Sequence, residues 1–128
     1  MKKILFPTDF SEVANNAFIH ALEFAKIVNG ELVLLHTFEL PVIEHSYTPD
    51  NYYTLFNTLE LVQYDMFKDQ IPKLRELAQK QHLENINLKH KIVEGDLIYS
   101  IKKAIKDENI DFVAVSYTHL TLPTILLV

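Results

Sequence analysis

The residues with the clearest ligand-binding chemistry follow the first apolar segment of the chain. Residues 4–6 are Ile-Leu-Phe, and they run directly into Pro-Thr-Asp-Phe-Ser at residues 7–11. A helical pattern of apolar residues begins at about Glu12. In open α/β sheets, ligands bind where the carboxyl end of a strand meets the start of a helix. Backbone N–H groups at that helix start favour anions, and the carboxylate of Asp9 can accept hydrogen bonds from a sugar or a base.

A second interpretation gives the same run a purely structural role. Thr8, Asp9 and Ser11 belong to the residue types that form turns and cap the N-termini of helices. In that case they only start the helix and bind no ligand. The spacing of the residues fits both interpretations, so both stay open at this point.

Strands and helices alternate along the rest of the chain. Apolar spacing predicts strands at residues 4–6, 31–38, 86–93 and 111–115. It predicts helices at residues 12–28, over a long stretch between residues 55 and 78, and after Asp96. The alternating pattern of residues 86–93 places that strand near a sheet edge. This βαβαβαβ order is typical of an open parallel sheet with right-handed crossovers, so the predicted fold class is α/β.

Several residues mark where the predicted elements begin or end. Gly30 follows the first helix and is expected to form its left-handed C-cap. Pro72 lies inside the long helical stretch, where a proline costs about 3 kcal/mol, so we expect a kink, or a restart with Asp69 as N-cap. Asp96 is expected to cap the third helix. A loop is predicted at residues 39–51, before the long helix.

Composition argues against several classes of function. The 128 residues include no cysteine, so the chain has no disulfides and no thiolate nucleophile, and a reducing, cytoplasmic location is expected. The net charge of −5 argues against nucleic-acid binding, which needs a basic surface. No apolar run approaches the length of a membrane span, so no membrane association is expected. Lys102, Lys103 and Lys106 cluster, but their spacing is typical of the solvated face of a helix.

Catalytic and metal-binding patterns are missing from the sequence. The six histidines have no paired spacing that would favour a metal site. A nucleophile elbow of the G-x-S-x-G type is absent, and no carboxylates form an evident acid–base pair. The sequence therefore predicts neither catalytic residues nor a bound metal, and enzymatic activity is not expected.

Four segments of the chain resemble the universal stress protein family. They are Lys-Lys-Ile-Leu-Phe-Pro-Thr-Asp-Phe-Ser-Glu at residues 2–12, Leu-Val-Leu-Leu-His at 32–36, Val-Glu-Gly-Asp at 93–96 and Asp-Phe-Val-Ala-Val at 111–115. The resemblance implies a Rossmann-like fold of the adenine-nucleotide α-hydrolase type, ATP as the ligand, and a homodimer. Some family members also hydrolyse ATP slowly.

The resemblance also implies roles for five residues around the predicted ligand site. Asp9 would bind the adenine or ribose side of ATP, with Pro7 and Thr8 contributing backbone groups beside it. Thr37 occupies a position that contacts adenine, where family members often carry valine. Gly95 would let the backbone approach the ligand closely, although a glycine there also suits an ordinary turn.

The last segment departs from the family pattern. The resemblance implies Gly-x-x-Gly and a later Gly-Ser or Gly-Thr after the fourth strand, wrapping the triphosphate and ribose, followed by a helix and a fifth strand. Residues 116–128 contain no glycine and resemble translated sequencing-adapter DNA. We therefore expect residues 1–115 to form a truncated domain and residues 116–128 to be a non-native tail; a natural divergent C-terminus is the alternative. The apolar residues 125–128 could cover the open sheet edge as an antiparallel strand after a turn near Pro123.

Two functions fit this sequence. The first is adenine-nucleotide binding in a stress response, with the phosphate-binding half of the site absent. The second is that of a relative that binds no nucleotide and acts by dimerising or docking to a partner. A flavodoxin-like electron-transfer domain shares the alternating pattern, but it requires a glycine-rich phosphate loop after the first strand, and residues 7–11 contain no glycine.

Overall fold

Strands and helices alternate in the computed structural model, which describes residues 1–39, 49–115 and 124–127. The strands are β1 (Lys2–Pro7), β2 (Gly30–Phe38), β3 (Leu88–Glu94), β4 (Phe112–Val115) and β5 (Thr124–Leu127). The helices are α1 (Glu12–Ile27), α2 (Pro49–Lys80) and α3 (Leu97–Glu108). Side chains are described for the same residues except 49–56 and 124. The predicted α/β class is confirmed.

The strands form one sheet in the order β3-β2-β1-β4-β5. Strands β1 to β4 are parallel, while β5 runs antiparallel to β4, with Val115 opposite Thr124. The predicted parallel sheet, the edge position of β3 and the antiparallel pairing of the last strand are all confirmed. Because β2 lies on one side of β1 and β4 on the other, the strand order reverses there, and such a reversal opens a crevice at the carboxyl ends of the strands.

Helices cover both faces of the sheet. In β1, Ile4 and Phe6 share a core with α1 and α2, while Leu5 packs with α3 on the opposite face. A strand that is buried on both faces has no polar face, which explains the continuous apolar runs of β1 and β2. The fully buried rings of Phe6 and Phe18 have centroids 6.2 Å apart. The result is a three-layer α/β/α arrangement.

The pairing of β1 with β4 is short and joins the two halves of the sheet. Its register consists of Ile4 with Phe112 and Leu5 with Val113. Next to these pairs, the Lys3 N–H donates to Asp111 Oδ2 and the Asp111 N–H donates to the Lys3 carbonyl, both at 2.9 Å. The Asp111 carboxylate thereby extends a strand pairing that consists of only two residue pairs.

The turn between α1 and β2 differs from the predicted one at its glycine. Asn29 takes the left-handed conformation, with φ of 55°, whereas Gly30 opens β2 opposite Lys2. A Cβ at Gly30 would lie 2.7 Å from the Lys2 carbonyl oxygen. The glycine is therefore required by the close approach of two strands. Asparagine tolerates the left-handed region better than most residues, which explains why the C-cap prediction is wrong by one position.

Helix α2 corrects two predictions, because it runs without interruption from Pro49 to Lys80. Residues 49–51, predicted as part of the loop, are helical, and proline is well suited to the first helical position. Residues 40–48 of that loop lie outside the described residues. No restart occurs at Pro72, so Asp69 is a residue of the helix interior and not an N-cap.

Burial explains why α2 continues through Pro72. A stripe of four side chains at helical spacing is between 1% and 7% exposed: Phe67, Ile71, Leu74 and Ala78. Burying one large apolar side chain contributes about 1.5–3 kcal/mol, so the stripe as a whole outweighs the cost of about 3 kcal/mol for one interior proline.

Candidate functional site

A cleft of about 850 Å³ opens at the carboxyl ends of β1 and β2. Its lining comes from those strand ends and from α3, β4 and β5: Pro7, Thr8, Asp9, Thr37, Leu97, Ile98, Ile101, Lys102, Ile105, Val113, Val115, Leu126 and Leu127. The structure thus brings together Pro7, Thr8, Asp9 and Thr37, four of the five residues predicted for the ligand site. The volume lies in the range of small-molecule sites, about 300–1,000 Å³.

Hydrogen bonds hold the turn after β1 in shape. The Thr8 N–H donates to the Leu35 carbonyl at 2.9 Å, which extends the contact between β1 and β2 into the turn. Thr8 Oγ1 accepts the Phe10 N–H at 3.1 Å, and Asp9 Oδ1 accepts the Ser11 N–H at 2.9 Å. Each of these side-chain bonds reaches two residues forward, a pattern typical of turns formed by threonine and aspartate.

The structural interpretation of this run is therefore correct, and it is compatible with ligand binding. Ser11 is the N-cap of α1, because its Oγ accepts the Ala14 N–H at 3.1 Å. Asp9 uses one oxygen for the turn, while a carboxylate offers about four acceptor positions. Asp9 therefore keeps the capacity to accept hydrogen bonds from a ligand in the cleft.

Hydrogen bonds of the turn lower the pKa of the Asp9 carboxyl. Partial burial on its own raises the pKa of this carboxyl, but hydrogen bonds from Ser11, with smaller contributions from the Asp9 backbone and from His36, bring the pKa below its ordinary value of 3.8. Asp9 is therefore negatively charged at neutral pH, and it presents the cleft with acceptor oxygens only.

Aromatic rings support the turn from the interior. Phe10 has a left-handed backbone, with φ of 62°, a conformation that costs about 1–3 kcal/mol for a residue with a side chain. Its ring packs against His36 and Phe67, with centroids 4.9 and 5.8 Å away. His36 is buried, and its Nδ1–H donates to the Thr8 carbonyl at 3.0 Å. These contacts fix the backbone on both sides of Asp9.

Two parts of the site carry only weak signals in the sequence. His36 is noticeable only as a polar residue directly before Thr37, at the end of an apolar run. The α3 wall is recognisable from a spacing of i, i+3, i+4 and i+7, which is shared by Ile98, Ile101, Lys102 and Ile105. Lys102 is exposed, as predicted, but it also lines the cleft, whereas its neighbour Lys103 does not.

Gly95 does not belong to the lining of the cleft. It lies in the turn between β3 and α3, where its N–H donates to the Phe38 carbonyl at 2.9 Å and its φ is +142°. The next residue, Asp96, caps α3 as predicted, because its Oδ2 accepts the Tyr99 N–H at 2.9 Å. Gly95 therefore contributes to the site by setting where α3 begins, and through α3 the position of one wall.

Gly95→Ala is expected to lower the free energy of unfolding by about 1 kcal/mol or more. The added Cβ has room, since its nearest neighbour would be Ser100 Oγ at 3.7 Å, so the cost comes from the positive φ. Denaturant titration measures the change. Glu94→Ala is an exposed control that should stay within about 0.5 kcal/mol of the wild type. A Gly95→Ala variant as stable as the wild type would show that the turn relaxes at no cost.

No metal centre accompanies the cleft within the described ranges, which hold no group of three or more histidine, aspartate or glutamate side chains placed to bind an ion. None of the helices described is both long and apolar enough to cross a bilayer. A second cavity, of about 360 Å³, lies between α1, α2 and β3 and is lined by none of the predicted site residues.

Comparison with known proteins gives a family. The universal stress protein family matches residues 1–128. The universal stress protein MJ0577 of Methanocaldococcus jannaschii is 33% identical over 122 residues, an alignment that covers 88% of this chain and 74% of the relative. The family match includes residues 116–128, and the separate nature of that segment stays a prediction.

Solved structures share the fold. UspA of Lactobacillus plantarum gives a TM-score of 0.71 at 22% sequence identity, covering 94% of this chain and 84% of that chain. A universal stress protein family protein of Arabidopsis thaliana, solved with AMP bound, gives a TM-score of 0.53 at 18% identity and covers 94% and 79%. At these identities the likeness concerns the fold, and it agrees with the mostly parallel sheet described above.

Proposed function

Because the chain belongs to the universal stress protein family, we propose that its cleft binds the adenosine part of an adenine nucleotide, with ATP as the ligand that the family resemblance implies. The observation that carries this proposal is the convergence of Pro7, Thr8, Asp9 and Thr37, from two strands, on one cleft. The AMP bound to the related Arabidopsis thaliana protein supports adenine nucleotides as the class of ligand.

The cleft offers two kinds of surface to a nucleoside. Asp9 is ionised and exposed, so its carboxylate can accept hydrogen bonds from ribose hydroxyls or from the adenine amino group. Ile101, Val113 and Val115 form an apolar wall against which the face of a base can pack. Thr37 adds a hydroxyl group at the end of β2. A polar edge beside an apolar wall matches the chemistry of adenosine.

The phosphate side of the proposed site is weak. Phosphate-binding loops use successive backbone N–H groups, and glycines allow the chain to form such a cradle. Residues 96–128 contain no glycine. We therefore propose that most of the binding free energy comes from the adenosine part of the ligand.

Calorimetric titration of adenosine into the wild type and into Asp9→Ala tests this function. Loss of a hydrogen bond to a charged acceptor is expected to weaken adenosine binding about tenfold, equivalent to about 1.4 kcal/mol. Asp9→Asn is a second variant that keeps an acceptor oxygen for the Ser11 N–H, so the turn stays intact while the charge is removed. The adenosine affinity of Asp9→Asn therefore shows how much of the loss in Asp9→Ala comes from the charge and how much comes from the turn.

Ser11→Ala is the matched control, since it disturbs the same turn by removing the N-cap bond to Ala14. It is expected to lower stability by about 1 kcal/mol and to leave adenosine affinity unchanged. Unchanged affinity in Asp9→Ala would contradict the assignment and leave Asp9 with its turn role alone. An equal loss in both variants would assign the effect to the turn and not to the carboxylate.

A second candidate function is docking to a partner or to another copy of the chain. It is favoured by the edge position of β5 and by the exposure of Leu126 (48%) and Leu127 (79%) beside the cleft. The unpaired backbone groups of an edge strand are a template for pairing with a further strand. Adenosine titration distinguishes the two functions, since docking through β5 requires no adenosine binding.

A further inference from the structure

Helix α3 presents one charged residue to the cleft. Lys102 stands on the same helical stripe as the apolar residues Ile98, Ile101 and Ile105, all of which line the cleft, as does Leu97. The neighbouring lysines of the cluster, at positions 103 and 106, lie outside the lining. Among the lining residues that the structure describes, Asp9 and Lys102 are the charged ones.

Lys102 has no ion-pair partner among the side chains that the structure describes. Lys91 on β3 differs, because its ammonium group lies 3.7 Å from the Glu108 carboxylate. A lysine can lay its apolar stem along residues such as Ile98 and Ile101 while its ammonium group stays accessible. The charge of Lys102 is therefore free to meet an anionic group of a ligand.

The opposite charges of Asp9 and Lys102 favour one orientation of a ligand in the cleft. Asp9, at the end of β1, repels phosphate and attracts hydroxyl and amino donors. Lys102, on α3, attracts phosphate. A ligand with a neutral, donor-rich end and an anionic end satisfies both residues in one orientation only.

We propose that Lys102 binds the phosphate group of an adenine mononucleotide whose adenosine part lies beside Asp9. This inference rests on the function proposed above and adds to it the anionic group and its contact on α3. One ammonium group balances the charge of a monophosphate far better than that of a triphosphate. The described lining holds no second cation for further phosphates, so a monophosphate is sufficient for the contact with Lys102 and a triphosphate is expected to gain little over it.

Calorimetry with AMP and with adenosine tests this proposal in the wild type, Lys102→Ala and Lys103→Ala. The wild type is expected to bind AMP about tenfold more tightly than adenosine. Lys102→Ala is expected to bind the two ligands equally, because the contacts to adenosine are untouched. Lys103→Ala removes the same charge from the adjacent position outside the cleft, and it is expected to keep the tenfold preference.

In Lys102→Glu the preference for AMP over adenosine should reverse in favour of adenosine. A purely structural role of Lys102 would not change this preference. A preserved AMP preference in Lys102→Ala overturns the inference while adenosine binding still supports the proposed site. An equal loss in Lys102→Ala and Lys103→Ala also overturns it, because the overall charge of α3 then accounts for the preference. If the wild type binds neither ligand, the proposed function fails and this inference fails with it.

Discussion

Gly30→Ala is expected to lower the free energy of unfolding by about 3 kcal/mol, a large fraction of a typical domain stability of about 5–15 kcal/mol. The added methyl group would lie 2.7 Å from the Lys2 carbonyl oxygen and 3.1 Å from Ile4 Cδ1. Lys2 is held by its parallel pairing with Gly30, so its carbonyl can move away only if β1 separates from β2. Denaturant unfolding followed by circular dichroism measures the loss.

Asn29→Gly is the matched control at the adjacent residue. Glycine adopts the positive φ of this position, 55°, without strain, so the variant should stay within about 0.5 kcal/mol of the wild type. The two variants show whether the turn requires glycine because of a steric clash at residue 30 or because of a positive φ at residue 29. A cost of only about 1 kcal/mol in Gly30→Ala, as expected where backbone conformation alone is affected, would contradict the steric explanation.

The wild-type chain is expected to bind ATP at most about tenfold more tightly than adenosine. The one lysine among the described lining residues cannot neutralise a triphosphate, and residues 96–128 contain no glycine to build an amide cradle around it. Titrations of adenosine, AMP and ATP into the same preparation measure the series, and the affinity should stop rising at AMP. A hundredfold preference for ATP, about 2.7 kcal/mol, would show that residues 116–128 supply phosphate contacts without glycine.

Sedimentation of the same preparation measures whether the chain associates with itself. The open edge of β5 predicts that it does. Leu126 and Leu127 are exposed on that edge strand, and no charged residue interrupts Thr124–Leu127. An increase of sedimenting mass with concentration is therefore expected. A monomer at every concentration would argue against docking to another copy of the chain, and a monomer with a hundredfold preference for ATP would contradict both expectations.

Much of the fold could be predicted because its signals lie close together in the sequence. The apolar runs of β1 and β2 identify strands that are covered on both faces, and the structure buries them in that way. Asp96 stands three residues before the N–H that it caps, so the start of α3 is visible locally. Where the local preference of a segment agrees with its long-range packing, its secondary structure can be predicted from the sequence alone.

The predictions that failed depend on residues far apart in the chain. The role of Gly30 is set by Lys2 on the neighbouring strand, a contact that no local pattern contains. Pro72 predicts a kink or a new helix start, and the new start is the part that failed, because the buried stripe that includes Ile71 and Leu74 favours one helix past the proline. In both cases a tertiary contact decided between two locally acceptable structures.

The candidate site was predictable on one side only. Pro7, Thr8 and Asp9 are consecutive, so their common position at a strand end follows from the sequence. Lys102 reaches the cleft because β4 lies beside β1 and carries α3 to that side of the sheet. Strand order determines this neighbourhood, and the pattern of residues around Lys102 indicates only an exposed helical face.

The contact between Lys3 and Asp111 joins residues that lie 108 positions apart in the chain. The chain loses conformational entropy when so long a loop closes, and favourable contacts form only after that loss. Pairings of this kind therefore form slowly during folding. Asp9 lies on one side of this junction and Lys102 on the other, which means that the cleft is complete only after the sheet has closed. A nucleotide that contacts both residues would bind the native chain and not its partly folded forms, and mass action would then shift the folding equilibrium toward the native state.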